Sequence, residues 1–180
     1  MPSDLDSIVA CMTKAQTALL SAADAVPADE WGTSPAEGKW SAAELVAHLM
    51  VVERGVIAKA DRVVQHPPKR VSLLKRIHIP MALVESRWIR RKSPVPIEPG
   101  MLRDKERMLA EFRTVRERSL AFLEETRGRD LREYCWKHPA LGTLNMYEWM
   151  QFIASHEVRH TKQMREISAS LPKAIESLQK

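Results

Sequence analysis

Apolar positions recur along the chain in four long stripes. From 5 to 26, Leu5, Ile8, Met12, Ala15, Leu19, Ala22 and Val26 follow at steps of three and four, the spacing that keeps one helical face apolar. Pro27 and the stretch DEWGTSPAEGKW end that pattern, and SAAE at Ser41 to Glu44 opens the next one. Its hydroxyl and carboxylate form a capping box, each satisfying a backbone N–H that a helix start leaves unpaired. A second helix is predicted from there to about His66, on the stripe Leu45, His48, Leu49, Val52, Val56 and Val63. HPPKR stops it, and SPVPIEPG punctuates the chain before a third helix begins near Met101. That helix carries Leu102, Leu109, Phe112, Val115, Phe122 and Leu123, with Gly128 as a C-cap just beyond it. The fourth starts at Asn145, with Glu148 as reciprocal cap, and its stripe is Met146, Trp149, Met150, Ile153, His156, His160, Met164, Ile167 and Leu171.

No segment alternates convincingly at period two, so the predicted fold is all-α, a four-helix bundle forming a single domain over 1–180. The first and last pairs of helices are joined by roughly 15 residues each, whereas about 34 lie between the second and third, enough to span a helix and return parallel. An up-down-down-up bundle follows, with a long crossover over about 67–100. Part of that crossover, SLLKRIHIPMALVESRW, has enough apolar residues to form a helix lying across the bundle.

Composition narrows the class without naming a function. With 180 residues, 44% of them hydrophobic, the chain supports one core. The charge of +5, from 28 Lys and Arg against 23 Asp and Glu, permits an anionic partner and does not imply one. Only the crossover is locally basic: Lys69, Arg70, Lys75, Arg76, Arg87, Arg90, Arg91 and Lys92 face Glu85 alone. A solvated segment is the plain reading of that run, and recruitment of an anionic substrate or partner the sharper one. Aromatic residues do not interleave with it beyond Trp88, so no nucleic-acid partner is expected. The acidic start MPSDLDSIVACM lacks the basic opening and apolar run of a signal peptide, and no stretch reaches the length of a membrane span. A cytoplasmic protein with no membrane partner is expected. Cys11 and Cys135 suit reduced packing thiols, and Trp31, Trp40 and Trp149 are expected to pack the bundle ends.

Against this background three histidines stand out. His156 and His160 lie one turn apart on the inward face of the fourth helix, and His48 is inward on the second. A buried polar group without a partner costs about 1–3 kcal/mol. One divalent cation relieves all three, because neutral imidazole binds Zn, Ni or Fe through one nitrogen and donates through the other. His66 and His78 fall at loop-like positions, and His138, in KHPALG, can cap, line a pocket mouth or play no chemical part. The stretch HEVRH also matches the HExxH pattern of zinc peptidases, with Glu157 as base. That reading ranks lower. Gln163 and Glu166 stand where one peptidase class needs Gly and His, Glu176 is too near the chain end to be a ligand from another helix, and no strand is predicted to hold a peptide.

WGTSPAEGKWSAAELVAHL at 31–49 and HPALGTLNMYEWMQFIASHEVRHTKQM at 138–164 together resemble the DinB-like superfamily of bacterial metal-binding four-helix bundles. The resemblance implies the same up-down-down-up fold, often as a homodimer, with a divalent metal held by one histidine of the second helix and two of the fourth. The matching positions are His48, His156 and His160, and Gln163 matches a position suited to contact a ligand or the cofactor. It further implies a small-molecule substrate and a metal-dependent transferase using a low-molecular-weight thiol, or a related hydrolase. The alternative is a non-catalytic, metal-stabilised bundle that serves as a ligand-binding or interaction module.

Overall fold

The computed structural model describes residues 4–68, 84, 102 and 104–171. Four helices dominate it: α1 (Asp4–Asp24), α2 (Ala42–Val63), α3 (Lys105–Glu125) and α4 (Met146–Ser170). The two capping boxes form as the sequence predicts. Ser41 Oγ accepts from the Glu44 N–H while Glu44 Oε2 accepts from the Ser41 N–H, and Asn145 and Glu148 repeat the arrangement at the start of α4. The third helix starts later than expected. Asp104 caps it by accepting from the Arg107 N–H, and Met101 lies outside the described residues. Gly128, at φ +88°, follows the end of α3 in a conformation that a Cβ disfavours.

Side-chain pairs fix the directions of the helices. Arg54 meets Glu111 and Asp61 meets Arg118, so α2 and α3 run parallel. Lys105 Nζ donates to the Asp24 and Val26 carbonyls at one end and Arg127 reaches Asp6 at the other, which makes α3 antiparallel to α1. Ser168 donates to the Ala25 carbonyl, placing the end of α4 beside the end of α1. The bundle is therefore up-down-down-up. The crossover itself, with its basic run 69–92, its predicted helical stretch and His78, lies outside the described residues.

Two departures from the sequence reading concern details. A small antiparallel hairpin, β1 (Cys135–His138) and β2 (Gly142–Asn145), stands before α4 where no strand was expected. Its strands are four residues long and show no alternation of burial, which removes the signal that periodicity detects. Cys11 is exposed on α1, so it is a surface thiol and not a packing one, whereas Cys135 is half-buried, and neither is in a disulfide.

The apolar core is divided. One cluster gathers Leu19, Trp31, Leu45, Phe112 and Met164, the other Ile8, Val56, Phe122, Leu144 and Ile153. Buried polar side chains lie between them along the bundle: His48, Glu53, Arg116, Ser119, Glu157 and His160. No described helix is long and apolar enough to cross a membrane.

Candidate metal centre

Local structure fixes the three histidines before any ion is considered. The Ser41 cap sets the first residue of α2 and so the angle at which His48, in the second turn, enters the interior. The Asn145 cap does the same for α4, where a spacing of four puts His156 and His160 on one face. Because α2 and α4 run in opposite directions, the two faces meet. His156 Nε2 lies 3.3 Å from His48 Nε2 and 3.1 Å from His160 Nε2, and the three ligand atoms all fall within 4.8 Å of one another. His48 and His160 are buried and His156 is partly so.

Hydrogen bonding alone does not satisfy this triangle. A neutral imidazole nitrogen carries one proton or one lone pair, so His156 Nε2 can complete only one of its two short contacts. An added proton is disfavoured. Burial lowers His48 to about 4, and burial, followed by the nearby His160, His48, Arg159 and His138, moves His156 well below its ordinary value. A divalent ion fits instead. With metal–nitrogen bonds of about 2.0–2.1 Å, nitrogens on a shared ion are about 3.0 Å apart at right angles and about 3.3–3.4 Å apart at tetrahedral angles. The two separations from His156 Nε2 fall in that range.

The surroundings hold the rings in place. His160 Nδ1–H donates to Gln163 Oε1 at 3.1 Å, which fixes the tautomer that leaves Nε2 with its lone pair. Trp40, the residue before the α2 cap, lies 4.8 Å from the His48 ring and stacks at 6.0 Å on His160. It was expected at a bundle end and is in fact a wall of the site. Phe152, one turn before His156, stacks on that ring at 5.2 Å. Phe152 in turn meets His138 of the hairpin at 4.5 Å. His138 Nδ1 accepts from the Ala140 and Leu141 N–H groups across the turn, and burial lowers its pKa to about 4. His66 is exposed.

Beneath the histidines lies an ion-pair network that the sequence reading did not foresee. Arg116 of α3 donates through Nε and Nη2 to Glu53 of α2, through Nη2 to Glu157 of α4 at 2.6 Å, and through Nη1 to the Met12 carbonyl of α1. Ser119 adds a hydroxyl to Glu53. Burial works against the Arg116 charge, but its bonds to Glu53 and the charges of both carboxylates outweigh it and raise the pKa. Burial pushes the Glu157 carboxyl up to about 7 against the pull of Arg116. One signal was available in the sequence: Glu53 follows Leu49 by four, Arg116 follows Phe112 by four, and Glu157 follows Ile153 by four, so each charge interrupts an apolar stripe. The pairing of Glu157 with Arg116 commits that carboxylate to a neighbouring helix, which counts against its use as the base of a peptidase.

Comparison with known proteins agrees with this architecture. An uncharacterized protein from Bacillus subtilis (strain 168), YuaE, is 27% identical over 141 residues, which cover 78% of this chain and 84% of that protein. No solved structure matches. The family model of the DinB superfamily matches residues 12–164, a span that takes in both capping boxes, most of the divided core and all three histidines. The chain belongs to the DinB superfamily.

Proposed function

We propose that the protein is a metal-dependent enzyme acting on a small molecule, transferring a low-molecular-weight thiol to an electrophile or, as a close variant, hydrolysing its substrate. The observation that supports this reading is the convergence of three imidazoles, with His156 Nε2 at distances from His48 Nε2 and His160 Nε2 suited to one divalent ion. His48, His156 and His160 would hold Zn, Ni or Fe and leave further coordination positions open. Bound there, the ion supplies Lewis acidity, which favours the deprotonated form of a thiol or water. Gln163 fixes the His160 ring through Oε1, and its amide nitrogen, at a half-buried position, is the group we assign to contact the thiol. Trp40 and Phe152 flank the rings and limit the approach of water. Such chemistry suits a reducing cytoplasm, in keeping with Cys11 and Cys135 standing outside any disulfide.

One observation favours a second reading. His48 and His160 are buried, at 5% and 6% exposure. A site sunk in the core suits a non-catalytic bundle stabilised by its metal, serving as a ligand-binding or interaction module. Protein purified without a histidine tag separates the two. Elemental analysis is expected to find close to one divalent ion per chain, and thermal shift against common bacterial thiols is expected to respond only when metal is present. Unfolding on metal removal with no response to any thiol would establish the second reading. A folded preparation that takes up no added ion would overturn both.

A further inference from the structure

The small cavity beside His156 carries more information than its volume. It lies between α2, α3 and α4, walled by Leu49, Val52 and Ile153, and its polar lining comes from Glu53, His156 and Glu157. Glu157 Oε2 accepts from Arg116, whereas Glu157 Oε1 is buried and has no hydrogen-bond partner. An unpaired carboxylate oxygen in an interior is costly enough to require an explanation. His156 also lines the cavity, and it turns Nε2 toward His48 and His160, which leaves Nδ1 as the ring's remaining polar atom. A metal-bound imidazole needs an acceptor for that N–H, because the acceptor fixes the ring's tautomer and orientation. His160 has such an acceptor in Gln163.

A cavity of about 10 Å³ admits one water, and a buried water requires two to four polar partners. We propose that one buried water fills this cavity, accepts from His156 Nδ1–H and donates to Glu157 Oε1, so that Glu157 is a positioning residue for His156 as a metal ligand. The inference rests on the three-histidine reading above. Glu53 completes the water's shell: its Oε2 accepts a single bond from Arg116 and keeps a lone pair for a second donor.

The probe is zinc, titrated in competition with a chromophoric chelator, alongside the melting temperature of the zinc-free protein. Glu157→Gln keeps the size of the side chain and, through its amide oxygen, the bond to Arg116, but turns toward the cavity an amide N–H2 that cannot accept from the water. It is expected to weaken zinc binding by about 10- to 100-fold. Val52→Leu fills the cavity from α2 without altering a charge, and is expected to weaken binding by about tenfold. A purely structural role for Glu157 would lower the zinc-free melting temperature and leave the zinc constant where it is in both variants, which would overturn the inference. If Glu157→Gln does not fold, Val52→Leu decides alone, an unchanged constant overturning the inference and a weakened one supporting it. Failure of the wild type to bind zinc saturably would overturn the metal reading and this inference with it, a result distinguishable from binding that ignores both substitutions.

Discussion

At the scale of single residues, burial sets the protonation of the site and gives it a signed pH dependence. In the metal-free protein His48 and His138 titrate at about 4, and His156 well below its ordinary value, against 6.5 for a free imidazole. Between roughly pH 6.5 and 4 the unfolded chain therefore binds more protons than the folded one, and stability falls as pH falls through that window. Glu157 works in the opposite sense. Pushed from 4.5 up to about 7, it keeps its proton in the fold where the unfolded chain has lost it, so it subtracts stability as pH rises from 4.5 to 7. Three imidazoles against one carboxyl decide the balance. The melting temperature of chelator-treated protein is expected to drop as pH is lowered from 6.5 to 4.5, and the drop is expected to be shallower in His48→Asn. A midpoint that stays level or rises toward pH 4.5 in the wild type would contradict this assignment.

At the scale of elements, the helices owe their ends to caps and their association to a divided interior. Loss of either cap, Ser41→Ala or Asn145→Ala, removes about 1 kcal/mol. Arg116→Leu is a different matter. It leaves Glu53 and Glu157 buried without their cation, and urea unfolding is expected to show a loss of about 3–5 kcal/mol. A loss no larger than that of a cap would mean that the carboxylates find other partners. The stripes, both capping boxes and the four helices were legible because periodicity and cap chemistry are local. The interior charges were not read, although Glu53, Arg116 and Glu157 each sit at a stripe position, because a stripe analysis scores apolar residues and passes over the charge between them. The hairpin escaped for a related reason: Trp136 and Trp149 stack at 4.9 Å, a contact between strand and helix that no run of four residues announces.

Across the whole molecule, the candidate site depends on two helices meeting that are far apart in the chain. The histidines could be chosen from the sequence because inward imidazoles on separate stripes need a common explanation. Their distances could not, since these depend on the antiparallel meeting of α2 and α4. Nor was Trp40 legible as a wall of the site, because its ring reaches His160 only after α2 has docked. An ion held by the three histidines would bind the folded state and not the unfolded one, so at a metal concentration 100 times the dissociation constant it is expected to add about 2.7 kcal/mol. For a chain of this size that corresponds to a rise in melting temperature of about 5–10 °C. Chelation should reverse the rise and His156→Ala should abolish it. An equal rise in the variant would place the ion elsewhere.

His48 and His156 are 108 positions apart, which bears on when the centre can be completed during biosynthesis. The nascent polypeptide offers an incoming cation one imidazole of the set while α2 and α3 emerge, and the other two only after α4 has left the ribosome. An ion held by all three rings would therefore be captured only after α4 has emerged, when the supply of cations and not the order of synthesis would decide which ion is taken.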